Sequence, residues 1–242
     1  MSRLTDIFGR RRIVLPVIHV ESHEQVIRNM DLANRTNADG VFLINHAISP
    51  WELLEIYSAV RSQYPEWWIG LNCLSLSQQE VFESIPRDVS GVWVDGGRID
   101  EWNEDQPEAD DIVAARRASG WEGLYFGGVA FKGQRPVLND NLGTAARIAM
   151  RYMDVVTTSG QGTAKAAESL KVRLMKEAIG DFPLAVASGI TPENVHDYLD
   201  TVDCFLVASG ISTSFSELDE DRTRALIDIV RTYEQDGMQG DE

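Results

Sequence analysis

Along the chain, short runs of β-branched and aromatic residues alternate with longer stretches of helical character, and the alternation repeats eight times. The apolar runs open at Ile13, Val41, Trp68, Val92, Leu124, Val155, Leu184 and Phe205. They are almost continuously hydrophobic, as strands are when both faces are covered in a parallel sheet. Each is followed by a turn signal and then a helix-length segment, over about 22–36, 50–63, 77–85, 107–119, 140–151, 164–179, 192–200 and 219–235. Ser22 with Gln25, Ser49 with Glu52 and Ser77 with Glu80 have the spacing of capping boxes, and Pro50 and Pro192 suit first helical positions. Strands that alternate with helices imply βαβ crossovers. Eight such units in 242 residues predict an α/β fold, a single (β/α)8 TIM barrel, in preference to an open doubly wound sheet. The fourth unit is the hardest to read, because 98–111 is long and acidic. One domain is expected over 1–242, with 1–12 as a lead-in and 235–242 as a flexible tail.

Composition narrows the function classes. No apolar run approaches the roughly 18 residues needed to cross a bilayer, so no membrane insertion is expected. Arg10, Arg11 and Arg12 precede the apolar stretch 13–20, as in a secretory signal. That stretch is short, contains Pro16 and His19, and lacks a cleavage site of small residues. It reads as a first strand, and a cytoplasmic location is expected. Cys73 and Cys204 lie in strand-like runs and are expected to be buried, reduced thiols. A net charge of −16 makes nucleic acid an unsuitable partner. Four lysines stand against eighteen arginines. Such a surface fits a salt-rich cytoplasm or a biased genome composition and does not bear on chemistry. A homo-oligomer is compatible with all of this.

In such barrels the active site lies at the C-terminal ends of the strands. The polar residues there are His19 and Glu21, Asn45 and His46, Asn72, Asp95, Lys132, the run Thr157-Thr158-Ser159, the pair Ser188-Gly189 and the pair Ser209-Gly210. The two Gly-bearing ends are the strongest signal. Glycine lets backbone N–H groups approach a ligand, and phosphate sites in these barrels use the loops after strands seven and eight. Ser188, Gly189, Ser209 and Gly210, with Thr158, Ser159 and Gly160, are therefore the candidate phosphate binders, against the alternative of plain turns. Asp95 ends a strand beside Gly96-Gly97 and is the first candidate for general acid or base. His46, His19 and Lys132 are the other catalytic candidates, against readings as a solvated lysine and as histidines bonded within the barrel mouth. Lys165, just inside the helix after strand six, could reach an anion, against the more common reading as a solvated helix lysine.

His19, Glu21, His46 and Asp95 are of types that bind a divalent metal, but no metal motif is present and no cofactor is firmly implied. Gly160-Gln161-Gly162 lacks the third glycine of a dinucleotide fingerprint. Trp67, Trp68, Trp93 and Trp102 are either core residues or a surface for stacking on a base.

Several segments carry a family resemblance. Ser188-Gly189-Ile190-Thr191-Pro192-Glu193-Asn194-Val195, Val202-Asp203 and Val207-Ala208-Ser209-Gly210-Ile211-Ser212 resemble the BtpA-type, or SgcQ-like, family of TIM barrels. Asp154-Val155-Val156-Thr157-Thr158-Ser159-Gly160-Gln161-Gly162-Thr163 and Gly70-Leu71-Asn72-Cys73-Leu74 are similar to segments of the same family. The last two units also resemble phosphoribosylanthranilate isomerase and other ribulose-phosphate-binding barrels. The match runs from about Asp154 to Ser212 and is topological elsewhere; 93–102 matches no motif. The resemblance implies a barrel that binds a phosphorylated small molecule, and one family branch is associated with photosystem I assembly.

Three functions follow as expectations. The first is an isomerase or lyase acting on a phosphorylated sugar or nucleotide-like metabolite. The second is a non-catalytic, BtpA-like binding or assembly protein. The third is a nucleobase or phosphoribosyl transfer enzyme.

Overall fold

In the computed structural model of the chain, which describes residues 2–239, the eight apolar runs form eight parallel strands closed in the order β1 to β8. The strands are β1 (Ile13–His19), β2 (Gly40–Ile44), β3 (Trp68–Asn72), β4 (Gly91–Val94), β5 (Leu124–Gly128), β6 (Val155–Ser159), β7 (Leu184–Ala187) and β8 (Cys204–Val207). The helices are α1 (Arg3–Phe8), α2 (His23–Arg35), α3 (Pro50–Gln63), α4 (Gln78–Ser84), α5 (Pro107–Ser119), α6 (Asn139–Ala149), α7 (Ser169–Ile179) and α8 (Glu220–Gln239). The fold is the (β/α)8 barrel that the sequence predicts.

Local chemistry explains the boundaries. Ser49 with Glu52 and Ser77 with Glu80 form complete capping boxes at α3 and α4. Ser22 caps α2, but Gln25 does not return the bond; its side chain instead accepts from the Glu21 N–H and donates to His19 and Ser216 carbonyls. Four elements differ from expectation. The lead-in contains α1, whose Leu4 joins the interior of the barrel and closes its base. Helix α7 begins at Ser169 and not near 164, because the glycine-bearing loop after β6 passes through a left-handed Ala164 at φ 58°. The segment 192–200 forms only a 3-10 turn, Val195–Tyr198. There Asn194 accepts from the Thr191 N–H and donates to the Gly189 carbonyl, and such local bonds compete with a helical start. Helix α8 continues to Gln239; the remainder of the expected tail, 240–242, lies outside the described residues.

The core has two parts, separated by the strand layer. Ile13, Leu15, Val17, Phe42, Ile44, Trp68, Trp93, Leu124, Phe126, Val155, Ala185 and Leu206 fill the inside of the barrel. Their neighbours along each strand, such as Val14, Val41, Val92, Tyr125 and Val156, pack against the helices. This period of two fixes which strand-end residues face the mouth. It also separates the thiols: Cys204 lies inside and Cys73 in the outer core, both free and buried. Among the described residues no helix is long and apolar enough to cross a membrane.

At the opposite end, one clasp recurs four times. The residue just before each even-numbered strand accepts the backbone N–H of the preceding strand. Asp39 takes Val14 at 2.7 Å, Ser90 takes Ile69 at 3.2 Å, Asp154 takes Tyr125 at 2.8 Å and Asp203 takes Leu184 at 2.8 Å. A helix cation completes each clasp: Arg231, Arg61, Arg116 and Lys176 respectively, all within 3.0 Å. These side chains are mostly shielded, so removing an acceptor strands both an N–H and a cation. Asp154 also holds Arg3 of α1 at 2.7 Å. Asp154→Ala is expected to lower the unfolding free energy by about 3–5 kcal/mol. Asp154→Ser, which keeps an acceptor as Ser90 does, is expected to lose clearly less. Urea denaturation of the two variants checks the order.

Candidate active site

The inner-face alternation carries on to the mouth. His19 follows Val17 at spacing two, His46 follows Ile44, Asn72 has the parity of Trp68, and Asp95 follows Trp93. Ser159 has the parity of Val155. Thus the four catalytic candidates that sequence analysis drew from β1, β2, β4 and the loop after β5 converge. His19 and His46 meet edge to face, with ring centroids 4.8 Å apart. Lys132 acts electrostatically on His19, His46 and Asp95, and Asp95 acts on His46.

Burial and charge set the protonation of this group. Burial, then His46 and Lys132, bring His19 down to about 4, although the Phe215 carbonyl opposes this. His46 is lowered by burial and by Lys132, while Asp95 acts the other way. At neutral pH both rings are therefore neutral. His19 Nδ1 lies 2.8 Å from the Phe215 carbonyl oxygen, which can only accept. The proton is thus on Nδ1, and Nε2 carries the free lone pair. Burial pushes the Asp95 carboxyl up, against a hydrogen bond from Asn72 Nδ2 at 3.1 Å and the pull of Lys132 and His46. Two neutral bases, one ammonium and one carboxyl of raised pKa form a set suited to moving protons.

Gln134 holds the strand ends in place. Its side chain donates to the Asp95 and Gly128 carbonyls and accepts from the Phe131 N–H, tying the ends of β4 and β5 to the loop that bears Lys132. Gly128 is required there, since a Cβ would stand 2.0 Å from the Asp95 carbonyl oxygen. Asp95, Lys132 and Gln134 line a cavity of about 620 Å³, shared with Arg98, Trp102 and Arg135. This is the size of a small-molecule pocket. Sequence analysis missed three residues here. Phe215, half exposed, stacks on His19 at 4.0 Å. Arg135 lies over Trp102 at 4.0 Å while forming a two-pronged pair with buried Glu101. Gln134 belongs to the stretch Phe131-Lys132-Gly133-Gln134, but nothing in its pattern marks a bracing amide.

The phosphate candidates divide. Ser159 faces inward and accepts from the Lys132 N–H at 2.8 Å. Thr158 has the parity of Val156, is fully buried towards the helix layer, and donates to the Ala130 carbonyl; it does not reach the mouth. Gly160 and Gly189 are both pressed against the backbone of 165–166, and Gly210 against the Ile190 carbonyl, each leaving no room for a Cβ. The loops after β6, β7 and β8 therefore interlock, and close packing of backbone explains these glycines directly. Ser188 and Gly189 are successive left-handed residues, at φ 72° and 71°, and Ser209 is exposed at the start of a 3-10 turn, Ser209–Ile211. None of these four residues lines the cavity beside Asp95.

Two alternatives that the sequence leaves open do not form among the described residues. Among the described residues no group of three or more His, Cys, Asp or Glu side chains is placed to hold a metal ion. The ensemble of His19, Glu21, His46 and Asp95 does not assemble as a ligand set; the Lys132 ammonium already supplies positive charge to three of its members. The tryptophans do not form a stacking surface either. Trp68 and Trp93 are interior core, Trp67 packs against the outer core, and of the four only Trp102 is exposed at the cavity.

No protein-family model matches the chain, and no curated protein does. Solved structures do match in fold. Phosphoribosyl anthranilate isomerase from Thermus thermophilus is 16% identical, with a TM-score of 0.61 over 92% of this chain and 99% of that one. (S)-3-O-geranylgeranylglyceryl phosphate synthase from Thermoplasma acidophilum, in complex with its substrate sn-glycerol-1-phosphate, is 13% identical, with a TM-score of 0.68 over 96% and 99%. The α subunit of tryptophan synthase from Legionella pneumophila is 12% identical, with a TM-score of 0.66 over 96% and 99%. At these identities the likeness is one of fold.

The neutral His19 has a measurable consequence. Its folded pKa lies below the unfolded value of about 6.5, so between the two values the unfolded chain binds more protons. Stability conferred by this residue is expected to be complete above pH 6.5 and to fall as pH drops towards 4. His19→Gln should flatten that part of the profile, as followed by denaturant midpoints at stepped pH. An unchanged slope would mean that His19 is not held neutral.

Proposed function

We propose that the chain is an enzyme acting on a phosphorylated sugar or nucleotide-like metabolite, of isomerase or lyase type. The observation that carries this reading is the convergence of Asp95, Lys132, His46 and His19 on one mouth, with Asp95 and Lys132 lining a cavity of about 620 Å³. In the proposed reaction a neutral imidazole, His19 through Nε2 or His46, removes a proton from a carbon next to a carbonyl. Negative charge then grows on the carbonyl oxygen and meets the Lys132 ammonium. Asp95, whose carboxyl is pushed up by burial, returns a proton to the neighbouring atom once it carries one. Phe215 packs against both imidazoles, of which His19 is buried and His46 is exposed to solvent.

The phosphate is assigned to the turns after β7 and β8. Ser188 and Gly189 are successive left-handed residues at the end of β7, and no described residue accepts from the Gly189 N–H, which leaves that donor for a ligand oxygen. A strained left-handed serine at a strand end is typical of ligand-holding backbone. Phosphorylated substrates are named for neighbours in fold, which supports this class of ligand. The BtpA-like resemblance over Asp154 to Ser212 covers the same turns.

Thermal-shift measurements against phosphosugars and nucleotides test the reading. At least one phosphorylated compound is expected to stabilise the protein, and Ser209→Asp, at an exposed position, is expected to weaken it at least about tenfold. Turnover of that compound should drop by about 100-fold or more in Asp95→Asn, with an unchanged melting temperature. Binding without turnover, indifferent to Asp95→Asn, would instead fit a non-catalytic assembly protein. Silence across the whole panel would remove the phosphorylated ligand.

A further inference from the structure

The four lysines of this acidic chain are unevenly placed. Lys176 belongs to a base clasp, paired with Asp203 at 2.6 Å. The other three, Lys132, Lys165 and Lys171, all line one cavity of about 480 Å³ between the loops after β5 and β6. None of the three is in an ion pair with a described residue. The remaining charged groups of the wall are Arg135 and Glu168. Arg135 is already neutralised by Glu101, so three lysines face one carboxylate. In a chain of net charge −16, such a local excess of positive charge is opposite to the general field.

Lys171 is the most informative of the three. It reaches from the first turn of α7 to the carbonyls of Ala130 and of Ser159, the latter at 2.8 Å. Both acceptors are neutral, so its charge is held in place without being cancelled. Two of its three donors are used, and the third remains for a ligand. Burial lowers it to about 8, with Glu168 opposing, so a bound anion would hold it more firmly in the charged form. Ser159 and Gly160 also line the cavity, and Lys132 lines both it and the cavity beside Asp95. Any group seated here is therefore next to the reacting centre.

We propose that this cavity is a second anion subsite, which holds a phosphate or carboxylate group of the same ligand. Three ammonium groups, on two loops and the first turn of α7, beside the acid–base group, are arranged for a substrate that carries two negative groups. The assignment to one ligand rests on the phosphate reading for β7 and β8; the subsite itself does not.

Inorganic phosphate is the probe, by calorimetry and by soaking crystals of the whole chain. The wild type is expected to bind two phosphates per chain. Lys165→Glu, at an exposed position, and Lys171→Gln should each weaken one of them by about tenfold or more, and density in the lysine cavity should vanish. Ser209→Asp should weaken only the other. Arg173→Glu, exposed on α7 outside the cavity, makes the same change in net charge as Lys165→Glu and should alter neither. Two phosphates retained in both lysine variants, or a single phosphate lost only in Ser209→Asp, overturns the subsite and leaves the β7–β8 reading standing. Phosphate lost only in the lysine variants, with Ser209→Asp indifferent, supports the subsite and overturns the β7–β8 reading. A wild type that binds no phosphate overturns both.

Discussion

The barrel depends on a polar bond repeated at its closed end. Four times around the circle, a short side chain ahead of an even-numbered strand takes the N–H of the strand before it and is itself held by a helix cation. A parallel strand entering a closed sheet has no turn partner to set its height, so register must come from elsewhere. The clasps supply it. Asp39, Asp154 and Asp203 do so with a carboxylate, and Ser90 with a hydroxyl, on the same geometry. With the heights fixed, the alternation of side chains decides which residue of each strand end looks into the mouth. The placement of His19, Asn72 and Asp95 is a consequence of those distant bonds.

Much of the architecture was legible in the residues. Parallel strands covered on both faces need uninterrupted apolar runs, and these stand out against helices that carry Arg, Glu and Asp. Three strands begin one residue earlier than the hydrophobic pattern shows, because Gly40, Gly91 and Cys204 open them, and glycine carries no β signal. The helix expected over 192–200 failed for a physical reason. Asn194 bonds to two backbone groups near Gly189 and makes a turn of what Pro192 advertises as a helix.

The site was legible by residue type but not by arrangement. Which strand ends face inward follows from parity, and parity was readable for Asp95 and His19. Parity also places Thr158: a residue next to an inward-facing serine has to face out. The roles of the glycines were not readable. A glycine that exposes an amide and a glycine that admits a neighbouring backbone look the same in sequence, and Gly160, Gly189 and Gly210 are of the second kind by contact. The gathering of three lysines was foreshadowed only by their rarity.

The peptide joining Lys165 to Ala166 rests on two glycines at once, Gly160 of its own loop and Gly189 of the next. It works as a keystone between two arches. Retreat of this single segment would release both arches together, so the rim on this side has one latch instead of two independent flaps. Lys165 is part of that keystone, so the charge that meets an arriving anion and the piece that locks the rim belong to one residue.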